Sequence, residues 1–279
     1  MHNDKTVLVT GASSGIGLAI AKRFLELGFK VYGTARNPEK TDPTTIQGIN
    51  MLSLDITDTG SARACIDQIL KKESKIDILV NNAGYGLMGP IAELSLEDLN
   101  IQFQTNVIGT IALTQMVIPA MVASGSGMIV NIISIAAVLS TAFSGAYCAS
   151  KAAMNSFSEV MRIELKPFNI NVVAVQPGAI KSNFGINASK NLERYGKNSL
   201  YISIAGYIEK RAMVSQQNTT SAEEFAFRLI KKLLKPNPPG LIRIGKESFK
   251  LPLLKSILPA KILESMISRR FGLDKLIKA

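Results

Sequence analysis

Short apolar runs alternate with helix-length amphipathic segments along most of this chain. The runs typical of strands cover residues 6–9, 30–34, 51–54, 76–80, 128–133, 170–175 and 241–244. Between them, helical patterns cover residues 18–27, 61–73, 97–123 and 149–166. Strands that alternate with helices are typical of βαβ units and a parallel sheet. Because the strand-like runs are continuously apolar, helices are expected to cover both faces of that sheet.

The chain is expected to form one α/β domain followed by a C-terminal extension. Its 279 residues contain no internal repeat, and the proline-rich stretch 235–240 marks a turn before the last strand. We place the domain at residues 1–247 and the extension at residues 248–279. The extension mixes basic and apolar residues, which is typical of an amphipathic segment.

The formal net charge of +11 lies mainly near the C-terminus. Residues 231–279 contain twelve Lys and Arg against three acidic residues. Because the rest of the chain is nearly neutral, we do not expect a nucleic-acid-binding surface.

The composition excludes several kinds of site. Cys65 and Cys148 are 83 positions apart, which excludes a disulfide scaffold and provides no zinc-binding pair. The single histidine, His2, lies near the N-terminus, so neither a histidine metal site nor a Ser-His-Asp triad is expected. We therefore predict that the site holds no metal.

The N-terminus and one uncharged stretch bear on targeting and on membrane insertion. No basic segment followed by an apolar core begins the chain, and we expect a cytoplasmic location. The uncharged stretch 99–150 includes a strongly apolar part at residues 107–122, which polar residues and a proline interrupt. A spanning helix needs about 20 predominantly apolar residues. We therefore interpret this part as a helix that is buried or that faces another subunit.

A glycine-rich turn connects the first predicted strand to the first predicted helix. It contains Gly11, Ser13, Gly15, Ile16 and Gly17. Glycines allow a tight turn and a close approach of the backbone to a pyrophosphate. The N-terminus of the following helix presents unpaired N–H groups and partial positive charge to the phosphates. A position between strand and helix is what this mechanism requires, so the turn predicts a nucleotide site.

The G-x-x-x-G-x-G spacing of this turn resembles the short-chain dehydrogenase/reductase family. Further motifs in the family's order are Asp55 after the third strand, Asn81–Gly84 after the fourth, Tyr147-x-x-x-Lys151, and Pro177-Gly178 after the sixth. The resemblance covers residues 4–245. It implies a Rossmann-type doubly wound parallel sheet and hydride transfer between a nicotinamide cofactor and a carbonyl or secondary alcohol.

The end of the second predicted strand bears on the choice between NAD and NADP. An acidic residue there bonds the ribose 2′-OH of NAD, whereas an arginine accommodates the 2′-phosphate of NADP. Ala35 lies where NAD-using relatives carry the acid, Arg36 follows it, and Ser13 adds a hydroxyl. A permanently charged guanidinium suits a phosphate. We therefore predict NADP(H); the alternative is that Arg36 is only a solvated charge.

The resemblance assigns further residues to the cofactor site. Asp55 would accept a hydrogen bond from the adenine amino group; the alternative is that it caps the helix beginning near Asp58. After the fourth strand, an Asn-Ala-Gly sequence would line the cleft floor, although it is also an ordinary turn. The remaining cofactor contacts follow the fourth and sixth strands and are Asn82, Ala83, Gly84, Pro177, Gly178, Ile180 and Ser182.

Tyr147 and Lys151 are four residues apart and therefore share one face of a predicted helix. A phenol with a pKa of about 10 is a poor acid or base at neutral pH. Because a neighbouring ammonium favours the phenolate, we expect Lys151 to lower the pKa of Tyr147. The resemblance implies that both residues also contact the cofactor, with Lys151 holding the nicotinamide ribose.

Two further residues complete the catalytic set that the resemblance implies. Ser134 ends the fifth strand, 13 residues before Tyr147, and its hydroxyl would stabilise charge on the substrate oxygen. Asn106 would hold a helix distortion and a water that relays protons to Lys151. The alternative for Asn106 is a buried asparagine whose hydrogen bonds are satisfied.

Residues 183–214 follow the Pro177-Gly178 motif, where the family carries its variable substrate lid. Large apolar and aromatic side chains recur there, namely Phe184, Leu192, Tyr195, Leu200, Tyr201, Ile202, Ile204 and Tyr207. Such a stripe is often core, but its position over the cleft favours an apolar substrate. The tail resembles relatives grouped with 17-beta-hydroxysteroid dehydrogenases and retinol dehydrogenases, which implies a steroid-, retinoid- or lipid-like ketone.

Two kinds of partner are expected besides the small-molecule substrate. The apolar helix near residues 101–123 and a face of small residues suit subunit contacts, and the resemblance implies a homodimer or homotetramer. The C-terminal extension either packs on the protein or makes weak contact with a membrane surface. The small residues of that face are Ala149, Ala152, Ala153 and Ser156.

An NADPH-dependent carbonyl reductase is the leading functional hypothesis. The alternatives are a reductase of carrier-bound 3-oxoacyl thioesters, a catalytically silent NADP(H) sensor or scaffold, and a peripheral membrane protein acting through its tail. The presence of Asn106, Ser134, Tyr147 and Lys151 together argues against a silent protein.

Overall fold

Seven parallel strands form one sheet at the centre of the computed structural model, which describes residues 4–189 and 199–276. Their order is β3-β2-β1-β4-β5-β6-β7, and every pairing is parallel. The order reverses between β1 and β4, where a doubly wound sheet opens its binding crevice. The strands are β1 Thr6–Val9, β2 Lys30–Ala35, β3 Asn50–Ser53, β4 Ile78–Asn81, β5 Gly127–Ile132, β6 Ile170–Pro177 and β7 Leu241–Ile244. The predicted α/β fold is confirmed.

Helices cover both faces of the sheet, as the apolar strands predicted. Along β1, Val7 and Val9 join one buried cluster with Phe24, while Leu8 joins a second cluster with Leu113 on the opposite face. The helices are α1 Gly15–Glu26, α2 Thr59–Glu73, α3 Leu96–Phe103, α4 Gly109–Ala123, α5 Gly145–Glu164, α6 Phe184–Ser189, α7 Ala205–Met213, α8 Ala222–Leu233, α9 Lys250–Ile257 and α10 Ala260–Arg270.

The segment Leu96–Ala123 is long and apolar enough to cross a membrane by length and composition alone. Of its most apolar 18-residue stretch, 44% is buried inside the protein. One face, which carries Leu113, Val117 and Met121, is fully buried against the sheet. A π-helical turn at Gln104–Ile108 divides the segment between α3 and α4. The contacts of this face are those of a core helix, and burial was one of the two interpretations of this stretch, the other being contact with another subunit.

The C-terminal extension folds back onto the segment that follows β6. Phe271 is buried in a cluster with Phe143, Ile204 and Ile208, and Ile267 of α10 packs against that cluster. One face of the extension therefore packs on the protein, which is one of the two expected alternatives. Residues 277–279 of the extension lie outside the described residues.

Candidate active site

The glycine-rich turn places the N-terminus of α1 in the crevice beside β1. Gly11 and Gly15 have φ values of +66° and +56°, a region that favours glycine. A Cβ on Gly17 would lie 2.2 Å from the Gly11 carbonyl oxygen, so only glycine fits there. Ser14 makes no side-chain capping bond, and the first turn of α1 has no acidic residue. The backbone N–H groups in the first turn of α1 thus remain available to an anionic group, which fits a dinucleotide pyrophosphate.

Asn82 braces the glycine turn from the end of β4. Its Nδ2 donates to the Thr10 and Gly11 carbonyls at 2.9 and 3.0 Å. The Thr10 hydroxyl accepts hydrogen bonds from the backbone N–H groups of Asn82 and Ala83, both at 3.0 Å. We expected Asn82 to line the cleft through its backbone, and its side chain additionally fixes the shape of the turn.

A cavity of about 520 Å³ lies at the end of β2, next to the glycine turn. Two cations, Arg36 and Lys40, and the Ser13 hydroxyl line it together with Asp42. Hydrogen bonds from Thr44 lower the pKa of the Asp42 carboxyl, which is therefore ionised and opposes part of the positive charge. Sequence reasoning missed Lys40, although its position four residues after Arg36 was a usable signal.

Asp55 follows β3 by two residues and lies near Arg36. Its carboxylate accepts hydrogen bonds from the Thr57 N–H at 2.9 Å and the Thr57 hydroxyl at 2.7 Å. These bonds, with a smaller contribution from the Arg36 charge, lower the pKa of Asp55. Asp58, not Asp55, caps α2 by accepting from Gly60 and Ser61. The alternative role of Asp55 as the helix cap is therefore wrong.

Tyr147 and Lys151 lie on one face of α5, only 8% and 7% exposed. The Lys151 ammonium donates to the Ile132 carbonyl at 3.0 Å and lies 5.9 Å from the centroid of the Tyr147 ring. Burial raises the pKa of Tyr147 to about 12 and lowers the pKa of Lys151 to about 8. The expected lowering of the tyrosine pKa by Lys151 is therefore wrong: desolvation has the largest effect and raises this pKa, and the groups that lower it are Ser134 and Arg211.

Ser134 lies two residues after β5 and faces Tyr147. Its hydroxyl accepts from the Ala136 N–H at 3.1 Å, and its hydrogen bond with Tyr147 lowers the pKa of the phenol, against the larger effect of burial. The end of β5 thus brings Ser134 to the same point as the α5 tyrosine.

Asn106 lies inside the π-helical turn and is buried. Its Oδ1 accepts from the Tyr85 N–H at 3.1 Å, and its Nδ2 donates to the Tyr85 carbonyl at 2.9 Å and the Ser150 hydroxyl at 3.1 Å. A Cβ on Gly84 would lie 2.9 Å from Asn106 Oδ1 and 3.7 Å from Lys151 Nζ. The distorted helix and the Asn-Ala-Gly turn therefore meet beside Lys151. All these bonds also agree with a satisfied buried asparagine.

The segment after β6 closes over the glycine turn. A Cβ on Gly178 would lie 1.9 Å from the Lys246 carbonyl oxygen, so this glycine allows the chain after β7 to pass close to Pro177. Ile180 is buried in the core. The Ser182 N–H donates to Gln216 at 2.9 Å, and the Ser182 Cβ lies 3.4 Å from a Cβ built on Gly15.

Phe184 covers Tyr147 from the predicted lid. The two ring centroids are 5.1 Å apart, and Phe184 occupies space that a Cβ on Gly86 would fill. Met88, Ala188 and Ala212 join both rings in one apolar cluster. Further along the lid, Tyr201, Ile204 and Tyr207 instead pack near Phe271. The predicted lid residues Leu192 and Tyr195 lie outside the described residues.

Arg211 of α7 is a charged residue near Tyr147 that sequence reasoning missed. It is 9% exposed and donates to the Thr141 hydroxyl at 3.0 Å and the Ser144 hydroxyl at 2.8 Å. Its positive charge lowers the pKa of Tyr147, although burial has the larger and opposite effect. Its Cζ lies 5.7 Å from the Phe271 ring centroid. A lone arginine in an amphipathic helix is usually solvated, so the sequence carried no signal for this position.

Comparison with known proteins identifies the family of this chain. The model of the family described as short chain dehydrogenase matches residues 5–193. This chain belongs to the short-chain dehydrogenase/reductase family. It is an oxidoreductase that interconverts alcohols and carbonyl compounds with NAD or NADP.

Individual members of this family resemble the chain over most of its length. It is 33% identical over 239 residues to the 3-ketodihydrosphingosine reductase of Bacteroides thetaiotaomicron, covering 86% of this chain and 87% of that protein. It is 36% identical over 184 residues to the NADPH-dependent 1-acyldihydroxyacetone phosphate reductase of Schizosaccharomyces pombe, covering 65% and 62%. A solved short-chain dehydrogenase from Streptomyces avermitilis superposes with a TM-score of 0.78 at 30% identity, covering 97% and 96%.

Proposed function

We propose that this enzyme reduces the ketone of an apolar, lipid-like substrate with NADPH. The observation that carries the proposal is the apolar cluster around Tyr147, in which Phe184 and Met88 pack with the tyrosine ring. Such a surface favours a hydrocarbon-rich substrate over a sugar or an amino acid, whose polar groups would lose hydrogen bonds to water.

The preference for NADPH rests on the cavity at the end of β2. Arg36 and Lys40 line it with the Ser13 hydroxyl. Ala35 occupies the position at which an acidic side chain would repel a 2′-phosphate. Arginine can bond a phosphate bidentately, and lysine adds a second charge. The S. pombe relative is NADPH-dependent by name, which supports the same choice.

Bound NADPH would supply the hydride to the carbonyl carbon. Tyr147 donates its phenolic proton to the carbonyl oxygen, and burial keeps that phenol protonated throughout the neutral range. Ser134 donates a second hydrogen bond to the same oxygen. The Lys151 ammonium, held by the Ile132 carbonyl, carries the proton that restores the phenol. Asn106 fixes the backbone around Lys151.

The substrate class is proposed from the apolar cluster and from two relatives. The names of both the B. thetaiotaomicron and the S. pombe reductases specify carbonyl compounds of lipid metabolism. The test is a substrate series in which loss of NADPH absorbance is followed with long-chain ketones, a steroid ketone, retinal and 3-oxoacyl thioesters. Long-chain ketones should give the highest kcat/KM. A highest value for 3-oxoacyl thioesters would favour the ketoreductase alternative, and no turnover with any of them would favour a sensor.

A homodimer is the proposed assembly. Apolar side chains on α5 are exposed at Phe157, Val160 and Ile163, and Val122 is exposed on the uncharged α4. This largely apolar face, beside which Glu159 and Glu164 are also exposed, suits a second copy of the chain. Sedimentation of the wild type and of I163E should show a dimer that the charge disrupts.

A further inference from the structure

The C-terminal extension exposes large apolar side chains on one face of each of its two helices, α9 and α10, and these side chains are together called the apolar stripe. On the first, Phe249, Leu253 and Ile257 are spaced four apart and therefore lie on one face. On the second, Ile262 and Met266 repeat the same spacing. These five side chains are between 49% and 67% exposed, although each is large and hydrophobic.

Positive charge flanks this stripe. Apart from Lys255, which bonds to the protein, the exposed cations between residues 248 and 271 are Lys250, Lys261, Arg269 and Arg270, whereas Glu264 is the single acidic residue of that stretch. A helix surface that combines apolar side chains with lysine and arginine matches the boundary of an anionic bilayer, where acyl chains lie beneath negative headgroups.

Several other residues of the extension pack on the protein, which gives the stripe a defined orientation. Pro252 and Phe271 are buried, Ser248 is fully buried, and Lys255 Nζ bonds to the Val138 carbonyl. The extension therefore presents its stripe as a preformed surface.

We propose that residues 248–271 form a docking surface for an anionic lipid bilayer. A second copy of the chain is the weaker occupant, because two such surfaces would bring their cations together. The apolar face of α4 and α5 exposes no comparable set of cations and suits self-association better. The proposal is independent of the proposed ketone substrate, since it depends only on the extension.

Flotation with lipid vesicles tests the proposal. The full-length chain is mixed with vesicles of phosphatidylcholine alone, or with added phosphatidylserine, and centrifuged through a density gradient. The protein should float with the anionic vesicles, remain below with the neutral ones, and be released in about 1 M salt, where charges are screened within about 3 Å.

Variants distinguish this surface from general adhesion. K250E/K261E should lower the ratio of vesicle-bound to free protein at least about tenfold, because each cation near an anionic surface contributes to binding. F249S/L253S/I257S should reduce binding as strongly. The matched control is K22E/K71E, which reverses two exposed lysines outside the extension and should float like the wild type.

Several outcomes would overturn the proposal. The first is a wild type that does not float with anionic vesicles, and the second is a control that loses as much binding as K250E/K261E. The third is that the variants float like the wild type but change the sedimentation of the free protein. The last result would identify a second copy as the occupant. Thermal unfolding and ketone reduction in detergent-free buffer, both unchanged in the variants, verify that the folded enzyme is being compared.

Discussion

Arg211 donates a hydrogen bond of 2.8 Å to Ser144, the residue that precedes the helix carrying Tyr147. Burial lowers the pKa of this guanidinium, yet no acidic side chain of the described residues forms an ion pair with it. An arginine this buried is normally paired. Its two bonds to hydroxyl groups instead attach α7 to the start of α5. They also hold the positive charge of Arg211 where it lowers the pKa of the Tyr147 phenol.

Replacing Arg211 by methionine should move the pH dependence of catalysis upward. The charge of Arg211 lowers the pKa of Tyr147, so its loss raises that pKa. Alcohol oxidation needs the phenolate, and its kcat/KM profile should shift by about one pH unit to higher pH. R211K should shift less, and K210M, which removes a neighbouring exposed charge, should not shift. An unchanged profile in R211M would show that Arg211 has only a structural role.

Lys151 should make the folded protein less stable at neutral pH. Its pKa is lowered from 10.5 to about 8 by burial, so between these values the unfolded chain binds more protons there. Stability therefore rises with pH through that window, and the full penalty is present below about pH 8. K151M should raise the free energy of unfolding in urea by roughly 1–3 kcal/mol at pH 7. This range includes the loss of the hydrogen bond to the Ile132 carbonyl, which offsets part of the gain, and the increase should be smaller at pH 10.

The exposed lysine Lys71 provides the control for this measurement. K71M should leave the pH dependence of the unfolding free energy as it is in the wild type. If K151M is less stable than the wild type at pH 7, the hydrogen bond to the Ile132 carbonyl outweighs the desolvation of the charge.

Arg36 should determine the choice of cofactor. R36D removes a charge-assisted bond to the 2′-phosphate and supplies a carboxylate for a free 2′-hydroxyl. We expect kcat/KM to fall about 10–100-fold with NADPH and to rise with NADH. K40Q should weaken NADPH use to a smaller degree. Equal kcat/KM for both cofactors in the wild type would contradict the proposed preference.

Tyr147 should be required for turnover and not for cofactor binding. Y147F removes the proton donor while keeping the ring that packs against Phe184, and kcat should fall by about 10²–10⁴. Binding of NADPH, followed by its fluorescence, should stay unchanged. Y201F deletes a hydroxyl elsewhere in the lid and serves as the control. Substantial turnover in Y147F would refute the proposed proton transfer.

The fold was accessible from the sequence because it depends on local patterns. Every predicted strand is present, and the Tyr147–Lys151 spacing places both residues on one helix face. What the sequence left open depends on contacts between distant segments. Arg211 meets Ser144 across 67 positions, and the predicted helix 97–123 breaks into a π-helical turn where Asn106 bonds Tyr85. We predicted a lowered pKa for Tyr147, but its pKa is raised, because burial of the phenol by the lid leaves no pattern in the sequence.

The oligomeric state and the cytoplasmic location stay predictions, as do the boundaries of the domain. The alternatives for the extension are partly resolved, because its buried face around Phe271 and its exposed stripe coexist. An amphipathic pattern alone cannot assign the two faces to different partners. The distinction needs the orientation that the packed residues impose.

Phe184 should oppose Arg211 in its effect on Tyr147. Its ring covers the phenol, and burial is the largest cause of the raised pKa. F184A should admit water, lower that pKa, and shift the oxidation profile to lower pH, in the direction opposite to R211M. Loss of the ring also removes apolar contacts that contribute about 1.5–3 kcal/mol of free energy. KM for long-chain ketones should therefore rise about tenfold or more. F168A removes a half-exposed ring outside the lid and should change neither property. A shift of F184A to higher pH would mean that Phe184 does not desolvate Tyr147 in solution.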